Sequence, residues 1–219
     1  MNSYTEENYL KAIFKIAENA DENVSTNAIA EKLGTKASSV TEMLKKLADK
    51  ELVVYEKYQG VKLTETGEKI AIQIIRKHRL WEYFLVNTLA FKWDEVHEIA
   101  EELEHINSDA LIDKLDSFLG FPQYDPHGDP IPNKEGLFNK HQSLPLSTFQ
   151  VHEKVLITGV IDHSAAFLQY LAAINLSLGS YLEIEDIANF DKSFTILLNQ
   201  EKQIFLSYQV AKNLLVVKV

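Results

Sequence analysis

All five prolines of this 219-residue chain fall between Pro122 and Pro145, in a stretch that also holds Gly128 and Gly136. Proline removes a backbone donor and fixes φ, so this stretch can be neither a helix nor a central strand. It is read as the join between two parts whose hydrophobic patterns differ. With 46% apolar residues, the chain has the material for real cores on both sides.

Before the join the period is helical. Tyr9, Leu10, Ile13, Phe14 and Ala17 mark one face of a first helix. Ser25 caps a second, which runs to Leu33 and breaks at Gly34. A third spans Lys36 to Lys50, with Val40, Met43, Leu44 and Leu47 turned inward. Leu52–Tyr55 and Val61–Leu63 flank a polar tip ending in Gly60 and predict a hairpin. Thr64 caps a long helix reaching Leu89, and Asp94–Asn107 and Asp109–Leu119 predict two more. After the join come short β-rich runs at Val155–Ile161, Tyr181–Ile187, Thr195–Leu198, Ile204–Ser207 and Leu214–Val219, with one helix at Ala165–Ile174. The expected fold is a mainly α N-terminal part carrying a winged helix-turn-helix, followed by a small C-terminal SH3-like β-barrel or sandwich.

Charge is unevenly spread. Residues 1–79 carry 13 Lys/Arg against 12 Asp/Glu, and the rest carry 9 against 20, within a net charge of −10. An acidic remainder leaves DNA binding open, because phosphate contacts depend on the local face. The chain has no cysteine, which rules out disulfides and thiolate metal sites. No apolar run is long enough to span a bilayer and no N-terminal segment reads as a secretion signal, so no membrane association and a cytoplasmic location are expected.

Helix, helix, glycine-marked turn, helix, hairpin and long helix is the order of a winged helix-turn-helix. Lys36, Ser38, Ser39, Thr41 and Glu42 stand near the start of the third helix, where short polar side chains approach base edges and the helix dipole favours phosphate. Lys57 and Tyr58 at the hairpin tip are offered to the DNA backbone. The same pattern suits a three-helix packing unit, or a winged helix used for protein contact.

Asp94–Asp109 holds seven acidic residues, two histidines and no lysine or arginine. On a helix, His97, Glu101, Glu104 and His105 share one face, and His78 and Glu82 repeat the i, i+4 spacing upstream. Clustered like charges repel, so a bound cation relieves them. Imidazole nitrogen with carboxylate oxygen suits Mn, Fe, Co, Ni or Zn. A solvated acidic helix face gives the same pattern. A hydrolytic metal site uses the same ligands, but no nucleophile or general-base motif accompanies them, and no enzymatic activity is expected.

Together these residues resemble the diphtheria toxin repressor and manganese transport regulator family of metal-dependent repressors. The likeness lies in Thr5–Leu10, Ser38–Thr41, Leu63–Gly67, Arg76–Leu80, Val96-His97 through Glu104-His105, and Asp125–Pro132. The tail is similar to the FeoA-like, SH3-type domain of longer members. The resemblance implies a winged helix-turn-helix DNA-binding domain over 1–64, a helical metal-binding and dimerisation domain over 65–140, and a FeoA-like β domain over 141–219. It implies a homodimer on palindromic double-stranded operator DNA, repressing metal-uptake genes when metal-loaded. Carried over by position, one site uses Asn8, Glu101, Glu104 and His105, with His78 bridging. An ancillary site uses His78, Glu82 and His97, with His163 or Asp162 from the tail. Glutamate at 101, where iron-responsive members have a sulfur ligand, favours Mn(II) over Fe(II), with Zn(II), Co(II) or Ni(II) able to substitute in vitro. Asn8 stands where manganese sensors carry aspartate, and Lys11 replaces a glutamate of some of them. Two other readings are a winged-helix regulator with a merely structural metal site, and a metal-binding protein or enzyme with no DNA role.

Overall fold

The computed structural model describes residues 2–18, 23–56, 59–139 and 142–219. The chain divides into two compact units. The first comprises Met1–Trp81, Ala100–Gly120 and Pro132–Phe138; the second comprises Glu82–Ile99, Phe121–Ile131 and Asn139–Val219.

The first unit opens with three helices, α1 (Tyr4–Ala17), α2 (Thr26–Lys32) and α3 (Ala37–Asp49). A capping box starts α1: Ser3 Oγ accepts from the Glu6 N–H and the Glu6 carboxylate accepts from the Ser3 N–H. Ser25 caps α2 by accepting from the Ala28 N–H. The strands β1 (Val53–Glu56) and β2 (Gly60–Leu63) pair antiparallel, with Val53 opposite Leu63 and Glu56 opposite Gly60. Val24 bridges to Val61 and adds a short third rung. Leu10, Ile13, Val24, Ile29, Val40, Leu44, Leu47 and Val61 form the core beneath this winged helix. The long helix α4 (Glu65–Asn87) begins in this unit, where Thr64 accepts from the Gly67 N–H. Arg76 on α4 binds Asp116 of α6 (Asp109–Phe118) at 2.7 Å.

The acidic run is less helical than its spacing predicts, because α5 covers only His97–Leu103. Asp94 and Glu95 lie in a turn closed by the Lys92 N–H donating to the Glu95 carboxylate, and Glu104 and His105 lie just past the helix.

The second unit carries a six-stranded antiparallel sheet of β3 (Leu144–Pro145), β4 (Lys154–Val160), β5 (Tyr181–Ile187), β6 (Phe194–Leu198), β7 (Lys202–Leu206) and β8 (Leu214–Lys218). Its order is β3-β8-β4-β5-β6-β7. Pro145 sits on an edge strand, where its missing donor costs no ladder bond. Among the described residues the ladder is open rather than a closed barrel, with β3 and β7 as its edges. Val155, Ile157, Leu182, Ile184, Phe194 and Ile196 line the core, which α7 (Ala165–Ala173) covers with Leu168 and Leu171 and α8 (Tyr208–Asn213) with Val210 and Ala211.

The proline-rich join includes a tight turn that packs on β4. Asp125 Oδ1 accepts from the N–H groups of His127 (2.8 Å) and Asp129 (3.0 Å), and the Val160 N–H donates to the His127 carbonyl. Gly128 has φ +90° at the bulge in β4, and a Cβ there would lie 2.1 Å from the Thr158 carbonyl oxygen. Only glycine fits this approach. Gly128→Ala is therefore expected to destabilise the protein by about 1–3 kcal/mol, read as a lowered Tm in thermal unfolding. An unchanged Tm would show that the turn leaves the strand without cost.

Candidate metal centre and nucleic-acid interface

The turn and α4 together place a compact donor group inside the second unit. Glu82, Asp125 and His127, all buried, bring one ligand atom each to within 4.8 Å of one another. His127 is 1% exposed. Its Nε2 lies 2.8 Å from the Trp93 carbonyl, which can only accept, so Nε2 carries a proton and the lone pair of the neutral ring falls on Nδ1. Nδ1 has no hydrogen-bond partner and stands 3.6 Å from Glu82 Oε2. A buried ring nitrogen facing a carboxylate at that distance is an arrangement a cation completes. Burial alone would lower the His127 pKa. The Glu82 carboxylate 3.6 Å from Nδ1, then the charge of Asp125, outweigh burial and raise it to about 9. Without metal, an imidazolium thus offsets the carboxylates.

Two further histidines adjoin this group. His97 Nδ1 lies 3.3 Å from Glu82 Oε1, and the His163 ring stacks on His127 with centroids 4.9 Å apart. Burial, then the nearby His127, holds the His163 pKa below its usual value against the opposing pull of Asp129. Asp125 and His127 were not singled out as ligands by sequence reasoning. The only local signal was an Asp-x-His spacing inside the turn-forming Asp-Pro-His-Gly-Asp segment.

The other donor set lies in the first unit, where Lys11 occupies its centre. Lys11 Nζ is 2.6 Å from Glu104 Oε1 and 2.7 Å from Glu101 Oε1. His78 Nδ1 lies 2.7 Å from Glu104 Oε2 and 3.9 Å from Glu101 Oε1. The His105 Nδ1–H donates to Glu7 Oε2 at 2.6 Å and its ring stacks on Tyr4, while its Nε2 lies 3.8 Å from Glu104 Oε1. Asn8 Oδ1 is buried without a hydrogen-bond partner. In kind these donors suit a divalent ion, but the two carboxylates already hold an ammonium.

On the DNA-reading side, Lys36, Ser38, Ser39 and Glu42 are exposed along the first turns of α3. Thr41 is half-buried and its hydroxyl donates to the Ala37 carbonyl. Val40, Leu44 and Leu47 anchor the opposite face of α3 in the core. Lys57 and Tyr58 lie outside the described residues. Sequence reasoning missed how α3 is fixed to α1: Lys50 and Lys46 reach the buried Glu6 carboxylate at 2.7 and 3.2 Å. Burial would raise that carboxyl, but hydrogen bonds from Lys50, Ser3 and Lys46 hold it at about 2. Among the described residues no helix is long and apolar enough to cross a membrane.

Comparison with known proteins agrees with this layout. A family model described as the iron dependent repressor N-terminal DNA binding domain matches residues 1–61. The iron dependent repressor metal binding and dimerisation domain matches residues 64–133, and the FeoA domain matches residues 144–218. A probable metal transport system membrane protein of Chlamydia trachomatis is 43% identical over 88 residues, covering 40% of this chain and 19% of that protein. The iron-dependent repressor IdeR of Mycobacterium tuberculosis is 33% identical over 128 residues, covering 58% of this chain and 55% of that protein. The matched part thus spans no more than about half of these curated relatives. A solved manganese-dependent transcriptional repressor in complex with manganese is 36% identical and superposes with a TM-score of 0.88, over 97% of this chain and 99% of that one.

Proposed function

The chain belongs to the family of metal-dependent transcriptional repressors, and from that premise we propose that it is a cytoplasmic repressor of metal-uptake genes, a homodimer that binds palindromic operator DNA in response to Mn(II). In this reading residues 1–64 read the DNA, residues 65–140 bind metal and dimerise, and residues 141–219 form the tail domain. The observation that carries the metal response is the buried Glu82–Asp125–His127 group, in which His127 Nδ1 stands 3.6 Å from Glu82 Oε2. Two carboxylates and an imidazole suit Mn(II), with Fe(II) as the alternative. The FeoA-domain His163 and the α5 residue His97 stand beside the group as further donors.

Glu82, Asp125 and His127 would hold the ion, whose double positive charge would offset the two carboxylates, and His127 would release its imidazolium proton to solvent. The rest is done by the chain. Trp93 fixes the His127 tautomer, and Gly128 lets the turn lie flat on β4. α4 carries Glu82 near its C-terminal end and follows the wing directly along the chain. A metal that prefers one arrangement of that element shifts the population toward it. On the reader, Ser38, Ser39, Thr41 and Glu42 meet base edges, and Lys36, Lys57 and Tyr58 meet phosphates.

The test is binding of the purified protein to DNA from its own upstream region and from metal-transporter promoters, with chelator, Mn(II) or Fe(II). Binding that requires metal, prefers Mn(II) and weakens with rising salt is expected. Metal-independent binding would leave the donor group structural, and no binding under any condition would remove the DNA role.

A further inference from the structure

The cradle formed by Glu101 and Glu104 contains a cation that belongs to the chain. The Lys11 side chain is 8% exposed and that of Glu104 fully buried, and the ammonium touches both carboxylates. Lys11 is not alone on its helix face. Tyr4, Glu7 and Lys11 follow one another along α1 at i, i+3 and i+7, which is one stripe of a helix. Each contacts the same segment: Tyr4 stacks on His105 with centroids 4.5 Å apart, Glu7 accepts from His105, and Lys11 binds Glu101 and Glu104. A ring stack, a charge-assisted hydrogen bond and an ion pair therefore fasten α1 to residues 101–105.

We infer that Lys11 is a tethered replacement for a metal ion at this position, locking α1 in place permanently and excluding a divalent ion from the Glu101–Glu104 cradle. A divalent ion held by the same two carboxylate oxygens would lie within a few ångströms of the ammonium, and the two cations would repel beside the fully buried Glu104 carboxylate. The buried ammonium cannot leave without uncovering two carboxylates and losing its own partners. The orphaned Asn8 Oδ1, one turn before Lys11, adds no charge that would favour an incoming ion over the ammonium. The consequence for regulation is that this chain takes up its ion at Glu82, Asp125 and His127 rather than between Glu101 and Glu104. That consequence rests on the proposed reading of the Glu82–Asp125–His127 group, whereas the exclusion at Lys11 does not.

The experiment counts Mn(II) bound per chain by equilibrium dialysis for the wild type, Lys11→Ala, Lys11→Glu and Glu82→Gln, each checked for fold by circular dichroism. Lys11→Ala and Lys11→Glu are expected to bind one more ion per chain than the wild type. Equal counts in folded variants would overturn the exclusion. A second measurement needs no variant: acylation of wild-type lysines, read by mass spectrometry with and without saturating Mn(II). Lys11 is expected to stay protected in both. Mn(II)-dependent labelling of Lys11 would mean that metal displaces the ammonium, and would also overturn the inference. Glu82→Gln reports separately on the other group, since a count unchanged from the wild type there refutes the proposed metal centre and leaves the Lys11 comparison standing.

Discussion

Glu82→Gln is expected to weaken Mn(II) binding by at least about 100-fold and to remove the metal response of DNA binding at metal concentrations that saturate the wild type. The substitution keeps the shape of the side chain and removes one charge. It takes away a carboxylate ligand from a group with only one other, Asp125. Isothermal titration calorimetry reads the affinity, and an operator-binding assay with and without Mn(II) reads the coupling. Because a ligand shifts a conformational equilibrium only by its differential affinity for the two states, losing the affinity loses the response. A variant that keeps its dimer size and its helix content but still responds to metal like the wild type would move the sensing site elsewhere.

Much of the fold was legible because its signals are local. Ser25, Gly34 and Thr64 punctuate the helices where caps and breaks are needed, and the alternation around Gly60 makes the hairpin. Within the proline cluster, among the described residues, the β pairings are the bridge from Tyr124 to Pro130 and the edge strand β3. The donor groups were less legible because they are tertiary. Helical spacing placed His97 beside Glu101 and His105 on one face. The helix instead ends at Leu103, and His97 pairs with Glu82 while His105 pairs with Glu7. Asp125 and His127 meet Glu82 only because a turn far along the chain packs on β4, and no period encodes that. Lys11 was visible as a departure from the family pattern, but its role depends on where the ammonium ends, and spacing along α1 does not give that.

Acidification provides the second large effect, and its sign separates the metal-bound from the metal-free protein. Metal needs the His127 lone pair, which the proton occupies below a pKa of about 9. From pH 8 to pH 6 the neutral fraction falls about tenfold per unit, so Mn(II) affinity is expected to drop about 100-fold. An ordinary histidine would give a flat affinity above about pH 7, so the slope between pH 7 and pH 8 identifies the ligand. Folding of the metal-free protein runs the other way. The folded pKa of His127 is raised above its value of 6.5, so its pairing with Glu82 and Asp125 stabilises the fold fully below that pH. That contribution is lost as pH rises through about 9. Calorimetric affinity and metal-free Tm, measured over the same pH series, should therefore slope in opposite directions for this group. An affinity that does not change between pH 7 and pH 8 would show that His127 gives up no proton to the ion and is not its ligand.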